Sequence, residues 1–220
     1  MNKRKNMITD LMRVIFLLAM VIIVATSKPC LAKTKKTKKL DFNKAKYTYY
    51  AKDNIIVYAK PESNSEKIGT FVKGDKVKVK GISENKKWCK IKYKFKTRYI
   101  KYNNESLSTK KTKKLWTGTK LNSRNGRVKS PSGGSETYYN MNMSNVVSIM
   151  RSKGYSAKKY PYWVRDDGVK MLGKYIMVGA NLRKHPKGSI VKTTLGMAIV
   201  CDTGGFARRH PYDLDIAVTW

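Results

Sequence analysis

Short runs of alternating apolar and polar residues fill the chain from residue 47 onward and predict a mainly β protein. Six such runs lie in the first half, at 47–50, 55–58, 67–72, 76–79, 88–93 and 98–100. Val77 and Val79 alternate with lysines, which is typical of a strand with one buried face. Turn residues separate the runs at PESN, KGD and SEN. The pattern predicts a small β-barrel at residues 47–108.

The second half predicts another mainly β domain, at residues 135–220. Ser144 is placed to cap a short helix whose apolar face holds Val146, Val147, Ile149 and Met150 and which ends near Gly154. Strands are predicted around this helix at 136–139, 175–178, 189–193, 197–201 and 214–219. Residues 109–134 are rich in Ser, Thr, Lys, Asn and Gly and predict a linker between the two domains.

The last twenty residues, CDTGGFARRHPYDLDIAVTW, carry the candidate chemistry. The apolar run 197–201 predicts a buried strand that Asp202 closes. Alternation over 214–220 places Ile216, Val218 and Trp220 toward a core, and Asp215, Ala217 and Thr219 on an open face. Two neighbouring, partly desolvated carboxylates repel, so one keeps its proton to higher pH and is able to act as a general acid. The alternative is structural, with Asp202 as a turn former and Asp215 as a solvated edge residue.

These residues resemble the 3D domain, a family named for three aspartates and built as a double-psi β-barrel. The DTGG at 202–205 and the LDI at 214–216 match its motifs, and further segments recur in order over residues 135–220, such as YPYWVRDDGVKMLGKYIMVGANL. Relatives include the stationary-phase survival muralytic proteins and the barrel of membrane-bound lytic transglycosylase A. The family's first aspartate falls on Asn181 here, and the loop at 206–212 is longer than usual.

The resemblance implies a peptidoglycan lytic transglycosylase that cleaves the β-1,4 bond between MurNAc and GlcNAc and leaves a 1,6-anhydro product. Asp215 would be the catalytic acid and base, and Asp202 would raise its pKa or orient it. The residues expected to contact the glycan are Asn181, Tyr138, Gly204 and Gly205. No cofactor is expected. No metal is expected either, because His185 and His210 lie apart from any ligand pattern, and Asp166 and Asp167 before Gly168 predict only a turn.

The first predicted barrel resembles a bacterial SH3 (SH3b) domain. The matching segments are IVYAKP, IGTFVKGDKV, WCKI and a later Tyr-Ile pair, although Arg98 stands where the family has glycine. The resemblance implies a module that binds the cell wall. Tyr47 and Tyr49 share one strand face and are candidates for stacking on sugar, whereas Trp88 is interpreted as a core residue.

The positive charge and the N-terminal sequence predict a secreted protein. The chain has 48 Lys and Arg against 14 Asp and Glu, a formal charge of +34, which favours polyanionic partners. Residues 1–32 combine basic residues, an apolar block at 14–25 and a small-residue exit, which predicts a secretory signal peptide; an uncleaved anchor is the alternative. A basic disordered tail is predicted at residues 33–46.

Secretion changes which partners are expected. The expected partners are peptidoglycan strands and, through charge, anionic polymers of a Gram-positive type of cell wall, and not nucleic acid. After cleavage of the signal peptide, no stable membrane insertion is expected. Cys89 and Cys201 are predicted to be buried thiols. A non-catalytic wall-binding protein is the main alternative. An aspartic protease is a weaker one, since Asp202-Thr203-Gly204 occurs once and would need a dimer.

Overall fold

The computed structural model describes residues 40–220, whose first half forms a seven-stranded antiparallel sheet, here called the N-terminal sheet. The strands are β1 (Phe42–Ala51), β2 (Ile55–Tyr58), β3 (Lys67–Phe71), β4 (Lys76–Ser83), β5 (Trp88–Tyr93), β6 (Lys96–Lys101) and β7 (Leu107–Ser108). Their order in the sheet is β3-β2-β6-β5-β4-β1-β7. Along β4, Val77 and Val79 are buried while the lysines that alternate with them, at positions 76, 78 and 80, are exposed, as the alternation predicts.

The first strand begins earlier than the sequence predicts. β1 starts at Phe42, whose ring lies 5.5 Å from that of Tyr99, and it pairs with β4 at residues 42–44 and 47–50, with a register shift between Lys44 and Tyr47. Residues 42–46 of the predicted disordered tail are therefore a strand. Lys44 and Lys46 keep their charges in solvent, so backbone pairing is compatible with the basic composition. The predicted signal peptide and residues 33–39 of the tail lie outside the described residues.

The second half forms a mixed sheet of eight strands, here called the C-terminal sheet. The strands are β8 (Val128–Lys129), β9 (Ser135–Tyr139), β10 (Tyr162–Val164), β11 (Lys170–Leu172), β12 (Tyr175–Gly179), β13 (Ile190–Thr193), β14 (Gly196–Asp202) and β15 (Leu214–Ala217). β12 runs parallel to β14 and antiparallel to β15, and β15 runs parallel to β9. The mainly β class is confirmed, and the double-psi β-barrel stays a prediction.

Two helices accompany the C-terminal sheet. In α1 (Ser144–Ser152), Val146 and Met150 are buried but Ile149 is 44% exposed, so the apolar face is narrower than predicted. Ser144 does not cap the helix; instead, the Ser144 N–H donates to Asn142 Oδ1 at 2.9 Å. The one-turn helix α2 (Phe206–Arg209) lies in the predicted loop after Asp202.

Both faces of the C-terminal sheet are covered along much of its length. Ile216 and Val218 face one apolar cluster. Ala217 is fully buried in a second cluster beneath α1, so the face predicted to be open is closed at this residue. Asp215, two residues earlier on the same face, stays partly accessible. The open part of that face is therefore limited to the strand end.

The predicted linker is packed rather than free. Leu121 and Val128 are buried in the core of the C-terminal sheet, and β8 pairs with β9. At its start, the N–H of Leu115 donates to the carbonyl of Lys73 at 3.0 Å. Apart from β8, residues 109–134 form no helix or strand, so side-chain burial and single hydrogen bonds hold most of the segment.

Polar contacts join the two sheets, and residues 40–220 form one compact unit. Asn54, 1% exposed, donates from Nδ2 to the carbonyls of Lys174 (2.9 Å) and Met197 (2.8 Å), and its Oδ1 accepts from the Met197 N–H at 3.1 Å. The buried Arg165 donates to Thr70 Oγ1 and to the carbonyl of Leu195. The two sheets thus share one polar interface.

The two thiols within residues 40–220 are free and buried, as predicted. Cys89 lies in the core of the N-terminal sheet and Cys201 in the cluster beneath α1. Burial raises the pKa of each thiol to about 12, so both stay protonated and act as small apolar side chains.

Candidate functional site

Asp202 and Asp215 lie on either side of Gly179. Gly179 on β12 pairs with Asp202 on β14 and with Asp215 on β15. Residues paired across a sheet point to the same face, so both carboxylates share the face of a residue that has no side chain. Two strand spacings separate their Cα atoms by about 9.5 Å. The structure thus brings together the two acids that the sequence singles out.

Gly179 places no side chain between the two acids, and the residue itself is buried. A methyl group built there would lie 3.7 Å from the ring of Phe206 and 3.8 Å from backbone atoms of Asp202 and Asp215. These are ordinary contact distances, so space alone does not require glycine. What glycine provides is a gap in the row of side chains between the two carboxylates, bordered by the Phe206 ring.

A β-bulge in β14 directs Asp202 toward this gap. Val178 pairs with Val200, but the next pair joins Gly179 to Asp202, so Cys201 is an extra residue. Without this insertion Asp202 would lie opposite Ala180 and face the other apolar cluster. The bulge therefore lets Cys201 fill the core while Asp202 stays at the strand end. Bulges that redirect a side chain are common next to active sites.

Thr137 holds Asp215. The two residues are paired in the parallel β9–β15 ladder, and Thr137 Oγ1 donates to Asp215 Oδ1 at 2.8 Å. Partial burial raises the pKa of Asp215, the Thr137 hydrogen bond lowers it, and the negative charge of Asp202 raises it again. The net pKa lies above the ordinary value for aspartate, as a general acid requires.

Tyr139 holds Asp202. Its hydroxyl donates to Asp202 Oδ2 at 3.1 Å, and burial together with the nearby acids raises the pKa of Tyr139, which keeps it a donor. Thr137 and Tyr139 lie two apart on β9 and so share one face. Neither is a predicted site residue, although the alternation in SETYY places them on one side of the strand.

Tyr138 is placed away from the acids. It pairs with Ile216, on the face opposite to Asp215, and its ring packs against that of Trp220 with centroids 4.5 Å apart. It belongs to the apolar core of that side. The tyrosine of β9 that reaches the carboxylate pair is Tyr139, its neighbour.

Asn181 serves the loop after Asp202. Its Nδ2 donates to the carbonyl of Ala207 in α2 at 2.8 Å, and its Oδ1 accepts from the Arg183 N–H. An aspartate would have no proton to donate to that carbonyl at neutral pH, so the amide suits this contact. Gly204 and Gly205 are exposed where the chain enters α2. Asn181, Gly204 and Gly205 therefore lie next to α2, and the Phe206 ring of α2 lies beside Gly179, between the two acids.

A cleft of about 760 Å³ lies away from the acid pair, between the two sheets. Among residues 40–220, no group of three or more His, Cys, Asp or Glu side chains is arranged to hold a metal ion. Neither α1 nor α2 in this part of the chain is long and apolar enough to cross a bilayer.

The predicted sugar-stacking tyrosines differ in access. Tyr47 is 55% exposed, whereas Tyr49 packs between Tyr47 and Tyr102 at the edge of the core. Trp88 is buried, and its ring lies 5.2 Å from that of Tyr58, so its interpretation as a core residue is confirmed. Tyr47 is thus the more open aromatic surface of this pair.

Comparison with known proteins identifies one part of the chain. No curated protein and no solved structure matches it. A protein-family model described as the bacterial SH3 domain matches residues 53–108, which include all of β2 to β7. Such domains are associated with binding to the bacterial cell wall. Residues 53–108 are therefore a bacterial SH3 domain within a mainly β chain.

Proposed function

We propose that the protein is a lytic transglycosylase that cleaves peptidoglycan strands, with Asp215 as its acid and base. The observation that carries the proposal is the pair Asp202 and Asp215 on one face across Gly179, with the pKa of Asp215 raised. The resemblance of residues 135–220 to the 3D domain supports the same chemistry, and the bacterial SH3 domain supports a location at the wall.

The proposed reaction uses one acid twice. Protonated Asp215 donates its proton to the glycosidic oxygen as the bond to the muramic acid carbon breaks. The resulting Asp215 carboxylate then accepts the proton of that sugar's C6 hydroxyl, whose oxygen closes the 1,6-anhydro ring. No water is consumed, and Asp215 ends protonated. Asp202, fixed by Tyr139, faces the positive charge that develops on the sugar.

Product analysis tests the proposal. The wild-type protein is expected to release 1,6-anhydromuramic ends from purified peptidoglycan, without incorporating oxygen from heavy-oxygen water. Asp215→Asn should abolish release because asparagine has no acidic proton, while Glu62→Gln, which removes an exposed carboxylate of the N-terminal sheet, should not. Mass spectrometry of soluble fragments gives the answer. Release by Asp215→Asn at the wild-type rate, or labelled hydrolytic ends, would refute it.

A second candidate is a non-catalytic wall-binding protein. The bacterial SH3 domain and the formal charge of +34 favour it, as does Asn181 at the position of the family's first aspartate. It predicts that the protein sediments with insoluble peptidoglycan and that no soluble fragment appears. Sedimentation and fragment analysis on the same sample separate the two functions.

A further inference from the structure

A basic cleft lies between the two sheets, away from the acid pair. It has a volume of about 760 Å³ and is lined by β2, β3 and β6 on one side and by residues 158–161 and 174–175 on the other. No Asp or Glu of the described part of the chain lines it. Its basic side chains, here called the cleft lysines, are Lys67, Lys101, Lys158, Lys159 and Lys174.

Most of these charges have no acidic partner. Lys174 forms an ion pair with Asp53 at 2.7 Å, and among residues 40–220 the other four cleft lysines form none. Lys101 and Lys159 are exposed, so their ammonium groups stay hydrated and available. A concentration of like charge around a concavity raises the local density of anions.

Three tyrosine rings lie beneath these ammonium groups. Lys101 Nζ lies 6.0 Å from the ring centroid of Tyr58, Lys159 Nζ 5.7 Å from Tyr160, and Lys174 Nζ 5.2 Å from Tyr175. The cleft therefore pairs cations with flat apolar faces. Such pairing suits a ligand that alternates anionic groups with carbon-bearing polyol or sugar units.

The arrangement differs from the lysines spread over the rest of the surface. Its members come from segments that are far apart in sequence, and the interface held by Asn54 brings them together. Lysine binds phosphate as a compact point charge, without the planar fork that carboxylates prefer in arginine. No arginine of residues 40–220 lines the cleft, so its lysine charges favour compact phosphates over planar carboxylates.

We propose that this cleft binds a linear anionic polymer whose polyol or sugar units are joined by phosphodiesters. The site is distinct from the acid pair, so the proposal does not depend on catalysis. It requires the two sheets to stay joined, because each contributes part of the lining.

The test compares two variants that lose the same charge. In the first, Lys101, Lys158 and Lys159 become Gln; in the control, Lys76, Lys90 and Lys129 become Gln, all exposed and outside the cleft. Calorimetric titration of the full chain with purified poly(glycerol phosphate) is expected to show about tenfold weaker binding for the first variant than for the control. Unchanged thermal unfolding of both variants verifies their folding.

Competitors define the ligand. Inorganic phosphate at equal phosphate concentration should displace little polymer, and polyglutamate of equal charge should bind more weakly than poly(glycerol phosphate). Equal losses in both lysine variants would overturn the cleft as the site, since binding would then follow total charge. Full displacement by inorganic phosphate, or equal binding of polyglutamate, would overturn the phosphodiester polymer as its ligand.

Discussion

Gly179 separates two acids that repel each other and places no side chain between them. Gly179→Ala is expected to fold normally, because the new methyl group meets its neighbours at 3.7–3.8 Å. The methyl group would occupy the gap between the carboxylates, and we expect anhydro product release to fall about tenfold or more.

The control for this change is Gly126→Ala, whose methyl group has similar space, 3.6 Å from Tyr138, outside the acid pair. It should retain activity. Thermal unfolding and fragment release are measured for both variants. Full activity in Gly179→Ala would show that the gap is not where the substrate reacts.

Asp215→Asn is expected to stabilise the protein at neutral pH while abolishing activity. Because the pKa of Asp215 is raised in the folded state, its contribution to stability is full below the unfolded pKa of about 3.9 and is lost as pH rises through the folded value. At pH 7 the ionised side chain is destabilising. The substitution removes that charge and keeps an acceptor for Thr137.

The expected gain is about 2 °C in Tm at pH 7, because solvent screens part of the repulsion. It should vanish near pH 3, where wild-type Asp215 is protonated. Thermal unfolding followed by circular dichroism at both pH values measures this. A lower Tm for the variant at pH 7 would mean that the carboxylate is stabilised by contacts that outweigh the repulsion.

The sequence predicts the acids better than the residues that hold them. Asp202 and Asp215 stand out because each ends or begins a strongly apolar segment. Thr137 and Tyr139 contribute through ladder register, which depends on the parallel pairing of β9 with β15. The sequence does not show which strands pair. The predicted glycan contact therefore falls on Tyr138, which faces away from the acids, and not on its neighbour Tyr139.

Strands with one buried face were predictable from the sequence, whereas three-residue strands and the bulge in β14 were not. β4 follows its Val–Lys alternation. β10 and β11 have only three residues each, too few for a period to be recognised. The bulge at Cys201 is hidden within a continuous apolar run, since a run with no alternation gives no sign of a register shift.

The hydrogen bond from the Ser144 N–H to Asn142, just before α1, is open to a direct test. Asn142→Ala removes the side-chain oxygen that accepts from the Ser144 N–H and is expected to lower the free energy of unfolding by about 1 kcal/mol. Urea unfolding measures the change. Asn125→Ala, at an exposed loop position, is the matched control and should have little effect. A loss for Ser144→Ala in place of Asn142→Ala would restore Ser144 as the cap.

For the whole molecule, two domains were predicted, and a shared polar interface was not. Composition predicts a linker at residues 109–134 because it records which residue types are present and not which side chains are buried. Leu121 and Val128 are two apolar residues in a polar segment, and both are buried. Asn54 is likewise an ordinary turn residue in sequence. Its three hydrogen bonds across the interface depend on a tertiary arrangement that no local pattern encodes.

Asn54→Ala tests how far the two sheets stabilise each other. The change leaves the Met197 N–H and two carbonyls without their partner, and we expect a loss of about 2–4 kcal/mol. Urea unfolding followed by tryptophan fluorescence reports on both sheets, since Trp88 lies in one and Trp163 in the other. Asn43→Ala, exposed on β1, is the control. Equal effects of the two changes would mean that the interface contributes little.

The buried asparagine between the sheets has a consequence for inheritance and engineering. Wall-binding modules are often imagined as cassettes that recombination can exchange between enzymes. Here a crossover within residues 109–134 would exchange one half of an interface whose hydrogen bonds are matched atom by atom. A transplanted SH3 module without an asparagine at that turn would leave the recipient's backbone groups unpaired, so successful chimaeras should carry this turn with them.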